Sequence, residues 1–143
     1  MSSTTVLLDQ NLFTLSYDSL SDVEKTRMSY LRARSITRYY GFAPNDILHL
    51  TPKFWAFHRD DICAFDISAF SLITIQCNLV AGSLAAYSEY QDLVKRVLSF
   101  DVQGQYMLTE LGHGLDAKHI ETTATLLSDG SFDLHTPHLH AAK

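Results

Sequence analysis

A short glycine loop in the last third of the chain holds the residues with the clearest chemical potential. The stretch Glu110-Leu111-Gly112-His113-Gly114 places two glycines one residue apart. Because glycine has no side chain, such a pair lets the backbone come close to a flat or charged group, and its N–H groups can hold an anion. A wide turn between two strands explains the same pattern, since an isolated glycine motif is weak evidence. The loop alone leaves both interpretations open.

Histidines near this loop invite a metal interpretation. They are His113, His119, His135, His138 and His140. A catalytic zinc needs three fixed ligands with an ordered second shell. The tail spacing His-x-x-His-x-His has one acid nearby, Asp133, and no nearby cysteine. We therefore predict a solvated tail and no metal site.

Other catalytic patterns find no support in the sequence. There is no Gly-x-Ser-x-Gly elbow for a hydrolase and no Walker or Rossmann motif. The carboxylates Asp60, Asp61, Asp101 and Glu110 form no recognisable acid–base pair. We therefore name no catalytic residue.

Three β-type runs surround the glycine loop and would position it. The first is Gly104 to Thr109, and the second, His119 to Leu127, is rich in Thr, Ile and Leu. The third, Ser131 to Thr136, alternates apolar and polar residues. β-branched and aromatic content favours strands, and the glycine of Ser128-Asp129-Gly130-Ser131 predicts a tight turn.

The residues before the loop are predicted to be helical. Ser21 and Glu24 have the spacing of a capping box, and the helix would run to about Tyr40, with Gly41 after its end. Its basic residues are Lys25, Arg27, Arg32, Arg34 and Arg38. They predict a solvated helix face, with a patch for the phosphates of a nucleotide or of CoA as the alternative.

Three further helices are predicted. One begins at Thr51 as N-cap and Pro52 as first residue, and its aromatics Phe54, Trp55 and Phe57 are expected in the core. The apolar segment Ile67 to Tyr87 is interrupted by polar residues and predicts a buried helix rather than a membrane span. Glu89 to Leu98 reads as the last helix, with an apolar stripe.

The composition restricts the class of protein. A chain of 143 residues with 46% hydrophobic residues can bury a core, and a net charge of −5 argues against a general nucleic-acid surface. Cys63 and Cys77 are predicted to be reduced and buried, as in an intracellular protein. We find no secretory signal in MSSTTVLLDQ and no peroxisomal Ser-Lys-Leu address.

The motif words around the glycine loop resemble the acyl-CoA oxidase and dehydrogenase family. They run from Tyr106-Met107-Leu108-Thr109 through the loop to Leu115-Asp116 and continue with Glu121-Thr122-Thr123-Ala124-Thr125. In that family a strand ending in Thr-Glu leads into a glycine loop. Its oxidase branch favours Gly-His-Gly and a Glu-Thr-Thr-Ala-Thr strand. The similarity is dense from about Val102 to Pro137 and thins upstream.

The resemblance implies FAD as the cofactor and places its contacts between Tyr106 and Leu115. Backbone groups at Leu108 and the hydroxyl of Thr109 would hydrogen-bond the isoalloxazine ring, and the glycine loop would approach the pyrophosphate. The implied cofactor-binding residues are Tyr106, Met107, Leu108, Thr109, Leu111, Gly112, His113, Gly114 and Leu115. Dehydrogenase relatives commonly carry a serine after the second glycine, where this chain has Leu115.

The resemblance also implies an α+β fold in two parts. Residues 1–100 would form an N-terminal all-α helical domain, and residues 101–143 the first antiparallel strands of an acyl-CoA dehydrogenase-type middle β-domain. The family introduces an α,β double bond into an acyl-CoA thioester, in lipid or secondary metabolism. Its catalytic base lies in a C-terminal bundle to which no residue here corresponds. We therefore expect a truncated chain that is inactive alone.

A non-catalytic remnant or a protein-interaction module of the same family is the alternative. The expected partners are an acyl-CoA thioester as substrate and a second copy or a complementing chain, with no nucleic acid and no membrane span. The expected location is intracellular, either cytoplasmic or peroxisomal.

Overall fold

The computed structural model describes residues 4–143, in two compact units, Met1–Gln105 and Tyr106–Lys143. We call them the helical unit and the C-terminal unit. Residues 1–3, which open the stretch searched for a secretory signal, lie outside the described residues. The structure is rich in helix and has one two-stranded antiparallel sheet, which is compatible with the predicted α+β class.

Short helices around one long helix build the helical unit. They are α1 (Thr5–Leu8), α2 (Asn11–Thr14), α3 (Asp22–Tyr40), α4 (Pro44–Leu48), α5 (Pro52–His58), α6 (Ile62–Phe65), α7 (Ile67–Thr74), α8 (Gly82–Leu84) and α9 (Gln91–Leu98). A π-helical stretch, Ile75–Ala81, joins α7 to α8, and a 3-10 turn, Ser88–Tyr90, precedes α9. The predicted helix from Glu89 to Leu98 is therefore confirmed, with a 3-10 first turn.

The ends of α3 follow the sequence prediction. The Glu24 carboxylate accepts the Ser21 backbone N–H at 2.8 Å, and the Glu24 N–H donates to the Ser21 hydroxyl at 3.4 Å. Gly41 ends the helix with φ of +59°, a conformation that costs glycine nothing. The capping box and the C-terminal glycine are therefore confirmed.

The basic residues of α3 are not simply a solvated face, and the prediction is wrong for Arg32. Arg32 is 2% exposed, and its guanidinium lies 3.1 Å from the Asp66 carboxylate. It also donates to the carbonyls of Leu12 and Leu15. A buried charge must be paired. Arg32 meets this requirement by joining α3 to two other segments: the residues from Leu12 to Leu15 and Asp66, which precedes α7.

Two more arginines of α3 are paired at the surface. Arg34 and Arg38 approach the same Asp101 oxygen at 3.1 Å and 2.8 Å. This one carboxylate neutralises one of the two positive charges. The alternative of an anion patch on α3 stays a prediction.

The core of the helical unit uses the aromatics of α5 only in part. Phe54 and Phe57 are 6% and 1% exposed, whereas Trp55 is 48% exposed. The expectation that Trp55 lies in the core is wrong, because the helix turns its indole away from the face that carries its neighbours. Thr51 precedes the helix as predicted, but its hydroxyl donates to Asp46 at 2.7 Å rather than to the helix.

The apolar segment forms one helical run from α7 through α8. Among residues 4–143, this run, Ile67–Leu84, is the one helix whose length and composition would allow it to cross a membrane. Only 28% of it is buried, so the predicted burial holds for one face. The buried face includes Ala69, Ile73 and Cys77.

The π-helical stretch fixes the backbone that leads to the C-terminal unit. The Gln76 side chain accepts the Gly104 N–H at 3.1 Å and donates to the Gly104 carbonyl at 2.8 Å. A Cβ at Gly104 would lie 2.5 Å from a methyl group of Val80. The predicted strand from Gly104 to Thr109 is wrong, because residues 104–109 form no regular structure and the polar groups of Gly104 pair with a side chain.

A hairpin is the regular element of the C-terminal unit. Its strands, β1 (Thr123–Leu126) and β2 (Phe132–His135), pair antiparallel with Ala124 opposite Leu134. The turn between them contains Gly130 with φ of +85°, as predicted. Strand β1 corresponds to the predicted run from His119 to Leu127 but starts later, at Thr123. The residues Ala117–His119 form a 3-10 turn instead.

Candidate functional site

Glu110 is the buried anchor of the glycine loop. Glu110 is 1% exposed, although most residues of the C-terminal unit are exposed. Its carboxylate accepts the backbone N–H groups of Glu121 and Thr122 at 2.8 Å and 2.9 Å. Lys143 Nζ donates to it at 3.0 Å. The loop is therefore tied to the start of β1 and to Lys143 through one carboxylate.

The same contacts decide the protonation state of Glu110. Burial by itself raises the pKa of a carboxyl group. The backbone N–H groups of Glu121 and Thr122, together with Lys143, outweigh that effect and lower the pKa of Glu110 to about 2. A carboxylate held this firmly as the anion is a poor proton acceptor, since a general base works best near the operating pH. Glu110 is therefore a structural group.

Main-chain contacts hold the glycine loop against the tail. Gly112 N–H donates to the His140 carbonyl at 2.8 Å, and His113 N–H donates to the Glu110 carbonyl at 3.1 Å. A Cβ at Gly112 would lie 2.8 Å from His140 Cβ, whereas a Cβ at Gly114 would meet nothing within 4 Å. Gly112 is thus required for packing within the unit, and Gly114 borders open space.

These contacts reduce the number of backbone N–H groups in the loop that could bind an anion. The N–H groups of Gly112 and His113 already have carbonyl partners, so in this conformation they are not available to a pyrophosphate. The expected approach of a ligand then falls on Gly114, the open position.

A carboxylate between two imidazoles lies beside the loop. His113 Nε2 is 2.8 Å from Glu121 Oε2, and His138 Nε2 is 3.1 Å from Glu121 Oε1. The pKa of Glu121 is lowered, chiefly by its hydrogen bond to His113. Sequence reasoning did not identify Glu121 as a site residue, because its motif was interpreted only as the start of a strand.

The histidines of the tail are exposed to solvent, as predicted, but the tail is folded. Residues Leu139–Ala141 form a 3-10 turn, and Ala141 is fully buried. The Thr122 hydroxyl donates to the Ala141 carbonyl at 3.2 Å, and His138 reaches Glu121. Two other histidines lie apart: His119 pairs with Asp116 at 2.6 Å, and His135 is exposed on β2.

Most of the residues implied to contact a flavin are exposed, whereas His113 is half-buried. Tyr106 is 47% exposed, Leu111 70% and Leu115 fully exposed. Met107 and Leu108 are also exposed, and so is Thr109. Large exposed apolar patches are typical of interaction surfaces.

Both cysteines are poor nucleophiles. Burial raises the pKa of Cys63 and of Cys77 to about 12. Both are unpaired, as predicted; Cys77 is buried and Cys63 partly so. Because the thiolate is the reactive form, neither thiol suits nucleophilic catalysis.

A groove in the helical unit contains none of the residues implied to contact FAD. It has a volume of about 770 Å³ and lies between α3 and α7, with Tyr17, Ser29 and Ile67 on its walls. Its cation, Lys25, lies 3.5 Å from Asp22.

Comparisons with known proteins point to one family. The chain is 27% identical over 105 residues to the peroxisomal acyl-coenzyme A oxidase 1 of Dictyostelium discoideum, covering 71% of this chain and 15% of that protein. It is 36% identical over 84 residues to acyl-coenzyme A oxidase 1 of Yarrowia lipolytica, covering 54% and 12%. The chain thus spans about an eighth to a seventh of the length of these relatives.

No family model matches the chain, and no solved structure does. The sequence relationship therefore rests on the two oxidases, which agree with each other in name. The chain is related to the acyl-CoA oxidase and dehydrogenase family.

Proposed function

We propose that this chain serves an FAD-dependent acyl-CoA oxidase or dehydrogenase reaction and supplies part of the flavin site. Both oxidase relatives support the reaction class. The observation that carries the proposal is the exposed stretch from Tyr106 to Leu115, which a buried carboxylate holds in place at Glu110. An acyl-CoA thioester is the proposed substrate.

Within this proposal, each part of the stretch has its own task. Leu108 and Thr109 present backbone groups and a hydroxyl to the isoalloxazine ring, and Gly114 lets the backbone approach the rest of the cofactor. FAD would accept the hydride from the β-carbon of the thioester. Met107, Leu111 and Leu115 would cover the bound flavin with apolar surface and exclude water, since all three are exposed without it.

The carboxylate that takes the α-proton is not Glu110, because that group is committed to the loop. We assign the base to a further polypeptide segment, from the same protein, a second copy or a complementing chain. In this arrangement residues 1–100 act as the N-terminal helical domain. Residues 101–143 act as the start of the flavin-facing β-domain.

Flavin titration of a Gly114 variant tests the proposal. The backbone around Gly114 has room for a side chain, so Gly114→Val should leave the fold intact and reduce FAD affinity at least about tenfold by blocking close approach. Ala117→Val adds similar bulk at an exposed position beyond the loop and should bind FAD like the wild type. Equal FAD retention by the wild type and Gly114→Val would contradict the placement.

A non-catalytic interaction module is the second candidate. The observation that favours it is the exposed apolar surface of the hairpin, with Leu126 63%, Phe132 64% and Leu134 74% exposed. An interaction module would associate with a protein partner and show no flavin absorbance after purification. Bound flavin therefore separates the two candidates.

The proposed location is intracellular, either peroxisomal or cytoplasmic. The name of the Dictyostelium relative places that protein in the peroxisome, which supports the first. The pathway, in lipid or secondary metabolism, follows from the choice of acyl chain.

A further inference from the structure

We propose that the C-terminal unit binds a divalent transition-metal ion of the zinc class at Glu110, His113 and Glu121. One ligand atom from each of these residues lies within 4.8 Å of the other two. Metal binding here does not require the proposed flavin chemistry. All three residues lie in the C-terminal unit, and two of them, Glu110 and Glu121, are not among the implied flavin contacts.

The ligand atoms of His113 and Glu121 lie close to the spacing that a small ion requires. Zinc binds imidazole nitrogen and carboxylate oxygen at about 2.0–2.2 Å, so two ligand atoms of a tetrahedral site lie about 3.4 Å apart. His113 Nε2 and Glu121 Oε2 are 2.8 Å apart in a direct hydrogen bond. An ion that replaces the bridging proton would have to separate these two atoms by only a fraction of an ångström.

The carboxylates are held in place before any ion binds. The Glu110 carboxylate accepts the Glu121 N–H and the Thr122 N–H, so the backbone that carries one ligand is fixed by the other. Each carboxylate oxygen has two lone pairs, and Glu110 Oε2 uses one on Glu121 N–H. Outer contacts of this kind orient metal ligands and raise affinity.

The charge of the cluster favours a cation. Two carboxylates, Glu110 and Glu121, face one ammonium group, Lys143, which lies 3.0 Å from Glu110 on the Oε1 side. With neutral imidazoles the cluster carries one net negative charge. A divalent ion at the Oε2 side would reverse that balance without displacing Lys143.

The ligand types select the class of ion. Imidazole nitrogen suits zinc, copper, nickel and iron, whereas magnesium and calcium prefer sets of oxygen ligands. His138 Nε2, 3.1 Å from the second oxygen of Glu121, adds another imidazole that fixes this carboxylate. The combination favours zinc-class ions over magnesium or calcium.

Protons compete with the ion for the same atoms. The His113 nitrogen that faces Glu121 must give up its proton to become a ligand. A neutral imidazole meets this requirement when its proton lies on Nδ1, so that Nε2 is free to coordinate the ion.

Calorimetric titration of the 143-residue chain with Zn²⁺, in the absence of flavin, tests the proposal. We expect one strong site, with affinity reduced at least about tenfold in Glu121→Gln and in His113→Ala, since even outer contacts cost that much. His135→Ala removes an exposed imidazole of the same unit and should bind like the wild type. Mg²⁺ should not compete.

Circular dichroism on each variant keeps loss of binding distinct from loss of folding, and Glu121→Gln retains the size of the side chain. The visible absorbance of Co²⁺ bound in place of Zn²⁺ gives a second readout that depends on the ligand set. The proposal is overturned by an absence of Zn²⁺ binding to the folded wild type. It is equally overturned if folded Glu121→Gln and His113→Ala bind Zn²⁺ as the wild type does.

Discussion

At the scale of single residues, the buried ion pair of Arg32 and Asp66 governs the stability of the helical unit. Their side chains are 3% and 2% exposed, so each buried charge is compensated by the opposite charge of its partner. Arg32→Met should destabilise the chain by about 3–5 kcal/mol, because it leaves Asp66 buried without its cation. Urea denaturation followed by circular dichroism measures the change.

Arg34→Met is the matched control for this prediction. Arg34 also pairs with an aspartate, but its side chain is 44% exposed, so its loss should cost less than about 1 kcal/mol. Equal destabilisation by the two variants would show that burial does not set the strength of the Arg32 pair.

The second residue-scale prediction concerns Glu110 and acid. Its pKa is lowered from 4.5 to about 2 in the folded chain, so the unfolded chain binds its proton first on acidification. The stability that Glu110 contributes is then fully present above about pH 4.5 and is lost between that value and about pH 2. The protection factors of the Glu121 and Thr122 amides, which compare their hydrogen exchange with the intrinsic rate at the same pH, should fall across this range on acidification.

In Glu110→Gln the same amides should have lower protection factors than in the wild type at neutral pH, and these should not fall further below pH 4.5. Amides in the centre of α3 serve as the internal control. If the protection factors of the wild type at Glu121 and Thr122 stayed constant down to about pH 2, the anchoring role of Glu110 would be refuted.

Residues with local tasks could be predicted from the sequence, and residues with distant partners could not. Ser21, Glu24 and Gly130 act through neighbours a few positions away, and their types alone identify capping and turning. Arg32 and Glu121 depend on partners at Asp66 and His113. Nothing in the spacing along the chain indicates those distances, so one was assigned to the surface and the other to a strand.

At the scale of elements, the π-helical stretch Ile75–Ala81 and Gly104 pack as one feature. Gly104→Ala would put a Cβ 2.5 Å from a methyl group of Val80, so either backbone or side chain must move. We expect a destabilisation of about 1–3 kcal/mol, as for other overpacked sites. Thermal unfolding measures it.

Val80→Ala should relieve the clash. Combined with Gly104→Ala, it should cost less than the sum of the two single variants, because the removed methyl groups are the ones that meet the new Cβ. If the destabilisation by the double variant equalled the sum of the two single values, residues 80 and 104 would not be in contact in solution.

The prediction of elements failed where a side chain replaces a strand partner. Gly104 to Thr109 has the composition of a strand, but Gln76 pairs with both polar groups of Gly104, and the segment adopts no ladder. The hairpin was predictable because alternation and a glycine turn coincide there. Its late start at Thr123 follows the 3-10 turn at Ala117–His119, for which the sequence has no clear signal.

At the scale of the whole molecule, the hairpin leaves one apolar face uncovered. Ala124, Leu126, Phe132 and Leu134 lie on one side of the two strands, and the three large residues are more than 60% exposed. Such a face and its open strand edges favour association with another chain. The isolated chain should therefore self-associate in size-exclusion light scattering.

A Phe132→Thr, Leu134→Thr double variant should shift the chain toward the monomer, because it removes apolar area from this face. Thr125→Ser, on the opposite face of β1, should leave the association unchanged. A monodisperse wild-type monomer that binds no hydrophobic dye would show that the face needs no partner.

The flavin placement has its most direct test in hydrogen exchange of the chain with and without FAD. Backbone amides in the stretch Tyr106 to Leu115 should exchange more slowly when FAD is added. Amides in the hairpin strands Thr123–Leu126 and Phe132–His135 should change little. In Gly114→Val the slowing should be lost while the exchange of α3 stays the same. No change on adding FAD, or a change confined to the helical unit, would contradict the account.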